Sequence, residues 1–359
     1  MNQLDLKMNN MPFEGLPHKG TIILLPYRRD TWRCDAKYAL DVFYKLVSII
    51  SKYETVYLIC DPKISDDKIE RFKMNNVEIL RLEYNDAWAR DNTLIYVKNN
   101  NKNIAIDFRF NAWGGSVDGL YPDYKDDDAL GKKIAKALND ECISLDKFIL
   151  EGGSIHTDGE KTFITTEACL LSKGRNNLSK EKIEEVLKKY LGAEKILWLK
   201  HGIYNDETNE HVDNMACFLA PGVVLVSDCC DENDIQYKYS KEAINYLENE
   251  CDAKGRKLKV IKIPTPINLK MTHEESQGLE ITDAIERNEG NRLAGSYVNF
   301  YQSDKFVIVP KYNVEVDDIA FNIIKNFYKD KDCYQLESRE ILLAGGNIHC
   351  VTMQIPKED

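Results

Sequence analysis

The chain reads as a mixed α/β protein assembled from a repeated unit, and three observations point there. Short apolar runs of strand type recur along the 359 residues, stripes of apolar residues at helical spacing separate several of them, and one glycine-bearing motif returns three times.

The strand-type runs are, in order, TIILLP from Thr21, TVYLIC from Thr55, VEIL from Val77, LIYV from Leu94, IAIDF from Ile104, TFITT from Thr162, KILWL from Lys195, VVLVS from Val223, LKVIKI from Leu258, YVNFY from Tyr297 and FVIVP from Phe306. Each is rich in β-branched and aromatic residues and short enough for a strand. Between them, Ser179 is placed to cap a helix whose Ile183, Val186, Leu187 and Leu191 share one face. Tyr38, Val42 and Leu46 form a similar stripe, as do Leu130, Ile134 and Leu138 and the run DDIAFNIIKNFY from Asp317.

The third observation is an internal echo. LEGGSIH at 150–156 matches LAGGNIH at 343–349 in five of seven positions, and LAGSYVN at 293–299 matches the latter in three. Copies that each lead glycines into a short strand-like run imply units whose equivalent ends gather in one place. The polar members His156, Asn299 and His349 are then expected to line a common axis.

Composition narrows the function. Hydrophobic content of 43% and charged content of 30% fit a soluble globular chain, and no stretch reaches the length of a membrane span. The start MNQLDLKMNNMPFEG has no basic stretch followed by an apolar run, so a cytoplasmic location is expected. The net charge of −11, without basic clusters interleaved with aromatics, argues against nucleic acid as a partner and mildly favours cationic small molecules. The ten cysteines, at 34, 60, 142, 169, 217, 229, 230, 251, 333 and 350, contain no CxxC pair; free thiols, mostly in the core, are expected, with Cys229 and Cys230 in a loop.

One cysteine stands in a motif, Cys350 of GGNIHC. Neighbours in an extended segment point to opposite faces, so His349 is poorly placed to serve it and the base is expected elsewhere. DETNEHVDN offers His211 and Asp213, two residues apart, amid Asp206, Glu207, Asn209, Glu210 and Asn214. Asp91 in NDAWARDNTL and Glu151 in EGGSIH are further carboxylates in motif-like surroundings. Several carboxylates around a thiol would repel a developing oxyanion, which disfavours acyl transfer. They suit a cation, above all a planar guanidinium gripped by paired hydrogen bonds. A metal site built from His211, Asp213, His349 and a carboxylate is the rival reading of the same residues.

The linked motifs MPFEGLPHKGT, WARD, NAWGG, EGGSIH, ETNEHVDN, LAGSYVNFY and GGNIHC, taken in this order, resemble the agmatine deiminases, relatives of the bacterial peptidylarginine deiminases. The resemblance implies a single domain over 11–355, folded as a pentein, a five-bladed pseudo-symmetric α/β propeller of ββαβ units. It implies Cys350 as nucleophile, His211 as general acid/base, Asp213 and Asp91 as guanidinium ligands, and Glu151 as partner of the histidine. Trp88, Trp113, Asn299 and Gly346 would line the substrate pocket. The implied reaction converts agmatine to N-carbamoylputrescine and ammonia without metal or organic cofactor, in a homo-oligomer. Where the family carries Thr-Gly-Pro after the aspartate, this chain has Asn92-Thr93-Leu94, and the glycine before HVD is Glu210, whose charge is expected to favour a dicationic substrate. Free or C-terminal peptidyl arginine is the alternative substrate, with Arg90 or Arg109 available to its carboxylate. A non-catalytic role like that of the similar ribosome-binding translation initiation factor six is opposed by the joint presence of Cys350, His211 and Asp213.

Overall fold

The computed structural model describes residues 5–100 and 102–358. Within them, sixteen strands fall into five small sheets. The first sheet contains β1 (His18–Leu24), β2 (Thr55–Cys60) and β3 (Val77–Arg81), all parallel, with the helix Lys37–Ile50 crossing between β1 and β2. In the second, β4 (Ile95–Asn99) turns back antiparallel into β5 (Lys102–Arg109); the helix Leu130–Leu138 then leads to β6 (Cys142–Ile149), parallel to β5.

That ββαβ pattern repeats. The third sheet orders β7 (Ile155–Thr157), β8 (Thr162–Thr166) and β9 (Lys195–Leu199), with the helix Lys180–Val186 in the crossover. The fourth has β10 (Ala216–Ala220), β11 (Val223–Asp228) and β12 (Lys259–Pro264) around the helix Ile235–Asn249. The fifth has β13 (Tyr301–Gln302), β14 (Phe306–Lys311) and β15 (Asp332–Glu337) around Asp317–Phe327. Parallel neighbours need such a crossover, whereas antiparallel ones need only a tight turn.

The first sheet gets its antiparallel partner from the far end of the chain: β16 (Met353–Pro356) pairs with β1, with Ile22 opposite Met353 and Thr21 opposite Gln354. Five ββαβ units thus close into a ring, the pseudo-symmetric α/β propeller, with its seam between β16 and β1. A turn or short loop precedes the first strand of every unit, and residues of these five segments meet one another.

The strand runs at Thr55, Thr162 and Lys195 coincide with β2, β8 and β9. YVNFY is different: only Tyr301 is in a strand, because Ser296 Oγ accepts the amide of Val298 and donates to Asn214 O, curling 296–300 into a turn. The helix from Ser179 forms, although Ser179 makes no side-chain cap bond, and it continues as a π turn over Leu187–Leu191. Tyr38 is exposed while Val42 and Leu46 are buried, so that stripe is narrower than its spacing suggests. The helix Ile235–Asn249 is mostly polar and lacks a clear stripe; Asp234 caps it through the Gln236 amide. All ten cysteines are free thiols, five of them buried, and Cys229 and Cys230 follow β11 as expected.

Candidate active site

Each turn ahead of a unit's first strand contributes to one buried cluster. Asp91 precedes β4, Glu151 to Gly153 precede β7, His211 and Asp213 precede β10, Asn299 precedes β13, and Cys350 precedes β16. All are buried, none more than 5% exposed. The repeated sequence echo is therefore a repeated place in the ring.

Gly153 stands between the polar groups. A Cβ built on it would fall 2.6 Å from His211 Nδ1 and 2.9 Å from both Asp213 Oδ2 and Asp91 Oδ1, so the three groups surround a backbone without a side chain. The Gly153 amide donates to Asp91 Oδ1 (2.9 Å), and the Trp113 indole N–H donates to Asp91 Oδ2 (3.0 Å). Trp113 is aimed there by two consecutive left-handed residues, Ala112 at φ 52° and Trp113 at φ 63°, an arrangement that costs about 1 kcal/mol or more per residue. Trp88 is held by Asp86, which accepts its indole N–H (3.0 Å), and stacks on Trp32 at 5.2 Å. Gly346 lets Trp88 approach Cys350: a Cβ there would lie 2.3 Å from the Trp88 ring and 3.2 Å from Cys350 Cβ.

Cys350 Sγ lies 3.7 Å from Asp213 Oδ2 and 3.4 Å from Asn299 Oδ1. Asn299 Oδ1 also accepts the amides of His349 (3.0 Å) and Cys350 (3.4 Å). Asn299 thus holds the turn that carries Cys350. His349 and Cys350 sit in that turn and not in an extended segment. The expectation of opposite faces, which assumed an extended segment, therefore does not apply: both side chains converge on Asp213 Oδ2. His349 Nδ1 is 2.9 Å from Asp213 Oδ2, and His349 Nε2 is 3.0 Å from each oxygen of Glu14. Glu14 in turn accepts Arg90 Nη1 (3.0 Å) and lies 3.4 Å from His156 Nε2. His156 and His349 meet around Glu14, a carboxylate that no motif singled out, and Asn299 joins them through the His349 amide.

His211 Nδ1 lies 3.9 Å from Asp91 Oδ2, and its own amide donates to Asp206 Oδ2 (3.1 Å), the buried hub of the DETNEHVDN loop. Glu151 has a donor atom within 4.8 Å of His211 and of Cys169, but its direct ion pair is to Arg175, with Nε 2.9 Å from Oε1. The histidine therefore shares Glu151 with a guanidinium. Among the described residues, His211 Nε2, Asp213 Oδ1 and the amide nitrogen Nδ2 of Asn299 have no hydrogen-bond partner, a rare condition for buried polar atoms and one met at ligand sites.

The electrostatics follow from crowding. Burial pushes Asp91 up to about 6, against the opposing pull of His211, with Asp213 and Glu151 adding to the rise. Burial lowers His211, but Asp91 and the other anionic neighbours outweigh it and raise it to about 10. Burial alone would raise Asp213; His349 overrides it and holds the carboxyl below the usual range. Burial and the Arg90 charge would drive the proton off His349, yet Glu14 and Asp213 hold it on above the ordinary imidazole value. The Cys350 thiol is pushed well up by burial and by Asp213 and Asp91. The centre is built to attract a cation.

Two buried trios, Glu14 with His156 and His349 and Glu151 with Cys169 and His211, place donor atoms within 4.8 Å of one another. In each, a guanidinium already stands on the carboxylate, Arg90 on Glu14 and Arg175 on Glu151, and its charge competes with a metal ion.

The remaining residues singled out from sequence have other partners. Glu210, at φ 64° where glycine is unstrained, turns its carboxylate to the Gly202 amide (2.8 Å) and His201 (3.2 Å). Asn92 bonds Asp86 O and Asp127, while Leu94 is fully buried; these departures are absorbed into the scaffold. Arg90 is spent on Glu14 and His349 O, and Arg109 lies half-exposed, 3.9 Å from Asp128. Glu14, Cys169 and Arg175 were not legible, because their importance comes from contacts distant in sequence; Asp206 was noted in the DETNEHVDN run, but its role as the bond partner of Thr208, His211 and Asn214 was not.

Comparison with known proteins fits this geometry. A Listeria monocytogenes relative, provisionally named agmatine deiminase 1, is 44% identical over 351 residues, covering 97% of this chain and 96% of its own. The structure superposes on the agmatine deiminase of Enterococcus faecalis with a TM-score of 0.95 at 36% identity, covering 99% of each chain. It superposes on the C. jejuni agmatine deiminase with a TM-score of 0.81 at 26% identity, covering 98% and 96%. Residues 10–356 match the Porphyromonas-type peptidyl-arginine deiminase family, a span that includes all five turns and the seam, and the chain belongs to that family.

Proposed function

We propose that the chain hydrolyses agmatine to N-carbamoylputrescine and ammonia through a covalent amidino-cysteine, within one domain spanning 11–355. The observation that carries this is the convergence of His211, Asp91 and Asp213 around the bare backbone of Gly153, with Cys350 Sγ 3.7 Å from Asp213 Oδ2. Relatives bearing the agmatine deiminase name over nearly the whole chain support the substrate.

Asp91 and Asp213 grip the guanidinium, placing its carbon before Cys350 Sγ. The cation cancels the negative field that keeps the proton on Cys350, so the thiolate forms as substrate binds and its proton passes to solvent. The thiolate attacks the central carbon. Protonated His211 gives its proton to the departing nitrogen, ammonia leaves, and an amidino-thioether remains. Neutral His211 then takes a proton from water, the water oxygen bonds the same carbon, and the sulfur leaves and takes up the remaining hydroxyl proton, restoring the Cys350 thiol as the neutral ureido product is released. A surface of net charge −11 supports a cationic substrate and opposes nucleic acid. Among the described residues no helix is long and apolar enough to cross a membrane. We read the chain as a cytoplasmic homo-oligomer.

Incubation with agmatine, free arginine and a blocked peptidyl arginine, with ammonia and ureido product measured, tests the reading; turnover of none of them ends it. The pH profile of kcat/KM is expected to be a bell. Asp91 must lose its proton to hold the cation, so activity rises through about 6; His211 must keep its proton to act as acid, so activity falls through about 10. A profile flat across the acid side would remove Asp91 from substrate binding.

Glu210 gives a sharper expectation. Because its carboxylate is held by Gly202 and His201, Glu210→Gly should leave the agmatine-to-arginine ratio of kcat/KM within about twofold of wild type. A large fall in that ratio would instead make Glu210 the anion that selects a dicationic substrate.

A further inference from the structure

We propose that Glu14, from the segment ahead of β1, is a positioning residue for the reaction: acting through His349, it holds Asp213 aligned on the guanidinium and balances the charge of Arg90 beneath it. This rests on the deiminase reading above.

The geometry is a chain of short contacts. Glu14 receives His349 Nε2 at 3.0 Å on both oxygens, His349 Nδ1 reaches Asp213 Oδ2 at 2.9 Å, and Asp213 Oδ2 lies 3.7 Å from Cys350 Sγ. A ring with a carboxylate on each nitrogen donates on both sides only as imidazolium. Arg90 closes the loop: Nη1 bonds Glu14, Nε bonds His349 O (3.3 Å), and its amide bonds Cys350 O (3.0 Å). The groups that face His349 or Glu14 come from every unit: Arg90 before β4, His156 in β7, Asp213 and Cys217 at β10, neutral Asn299 before β13, and Cys350 before β16. Two cations, Arg90 and His349, are matched by two anions, Glu14 and Asp213. Without Glu14 the network gains a positive charge directly behind the site where a cation must bind, and His349 loses the partner that fixes its second nitrogen.

The expected consequences separate alignment from mere stability. Glu14→Gln should raise KM for agmatine about tenfold, with kcat changed much less. With one of its two carboxylate partners gone, His349 should give up its proton at a lower pH in the variant than in wild type. As that surplus charge departs, kcat/KM of Glu14→Gln should climb with pH, adding an ionisation absent from wild type. Glu14→Asp, which keeps the charge, should recover most of the KM.

NMR titration of the His349 imidazole in wild type reads the charge arrangement independently of turnover and needs no variant to fold. A neutral His349 in wild type at neutral pH, or a folded Glu14→Gln with unaltered KM, overturns the proposal. Absence of guanidine turnover by wild type would instead overturn the deiminase reading, leaving the imidazole titration to judge the charge network.

Discussion

Cys350→Ser is expected to release ammonia from agmatine at least about 10⁴-fold more slowly than wild type while retaining the fold. Sulfur to oxygen is a small change at a site only 5% exposed, so packing survives. The chemistry does not: a serine hydroxyl has a far higher pKa than a thiol, and the anionic surroundings formed by Asp213 and Asp91 raise even the thiol. A bound guanidinium can offset that field for sulfur but leaves the hydroxyl protonated. Acid-quenched wild type incubated with agmatine should carry the mass of one amidino group on the peptide containing Cys350, and the serine variant none. Activity above about a hundredth of wild type in Cys350→Ser would show that another group makes the bond.

Gly153→Ala should be nearly as damaging, although residue 153 contributes no side chain. The new methyl carbon would lie within 3 Å of the working atoms of His211, Asp213 and Asp91, and none of these is free to retreat. Asp91 is tied to Trp113 and the Gly153 amide, Asp213 to His349, and the His211 backbone to Asp206. Displacement of about 1 Å at a reacting geometry costs on the order of a hundredfold, and three groups move together here. We expect kcat to fall about 10²- to 10³-fold with a modest drop in Tm, because the groups displaced are polar and few apolar contacts are lost. Retention of activity within about threefold would mean that the cluster relaxes freely and that its spacing does not set the rate.

Strands were legible wherever apolar residues run together, in buried strands and also at the outer edges β3, β9 and β12. TVYLIC and TFITT are almost entirely inside, so their composition declared them. The outer-edge strands β6 and β15 carry half-exposed, mixed residues, CISLDKFI and DCYQLE, and no apolar run announced them. The strands β7, β13 and β16 have two to four residues, too few for periodicity to speak. The reacting groups were legible because glycines and aromatics mark their turns. Glu14 lay in a quoted motif yet carried no mark, since what distinguishes it is meeting His349, 335 residues away. Adjacency set His349 aside as partner of Cys350, but could not show that both residues reach one carboxylate, Asp213.

The seam between β16 and β1 has a consequence for biosynthesis. A chain emerging from the ribosome presents its N-terminal units first and can form four of the sheets before β16 exists. Cys350 lies three residues ahead of that last strand, and its carbonyl is fixed by the Arg90 amide only once the ends meet. The nascent chain therefore carries histidine, carboxylates and tryptophans without an aligned thiol. Enzymatic competence should arrive in a single late step, making turnover a direct report that the circle has been completed.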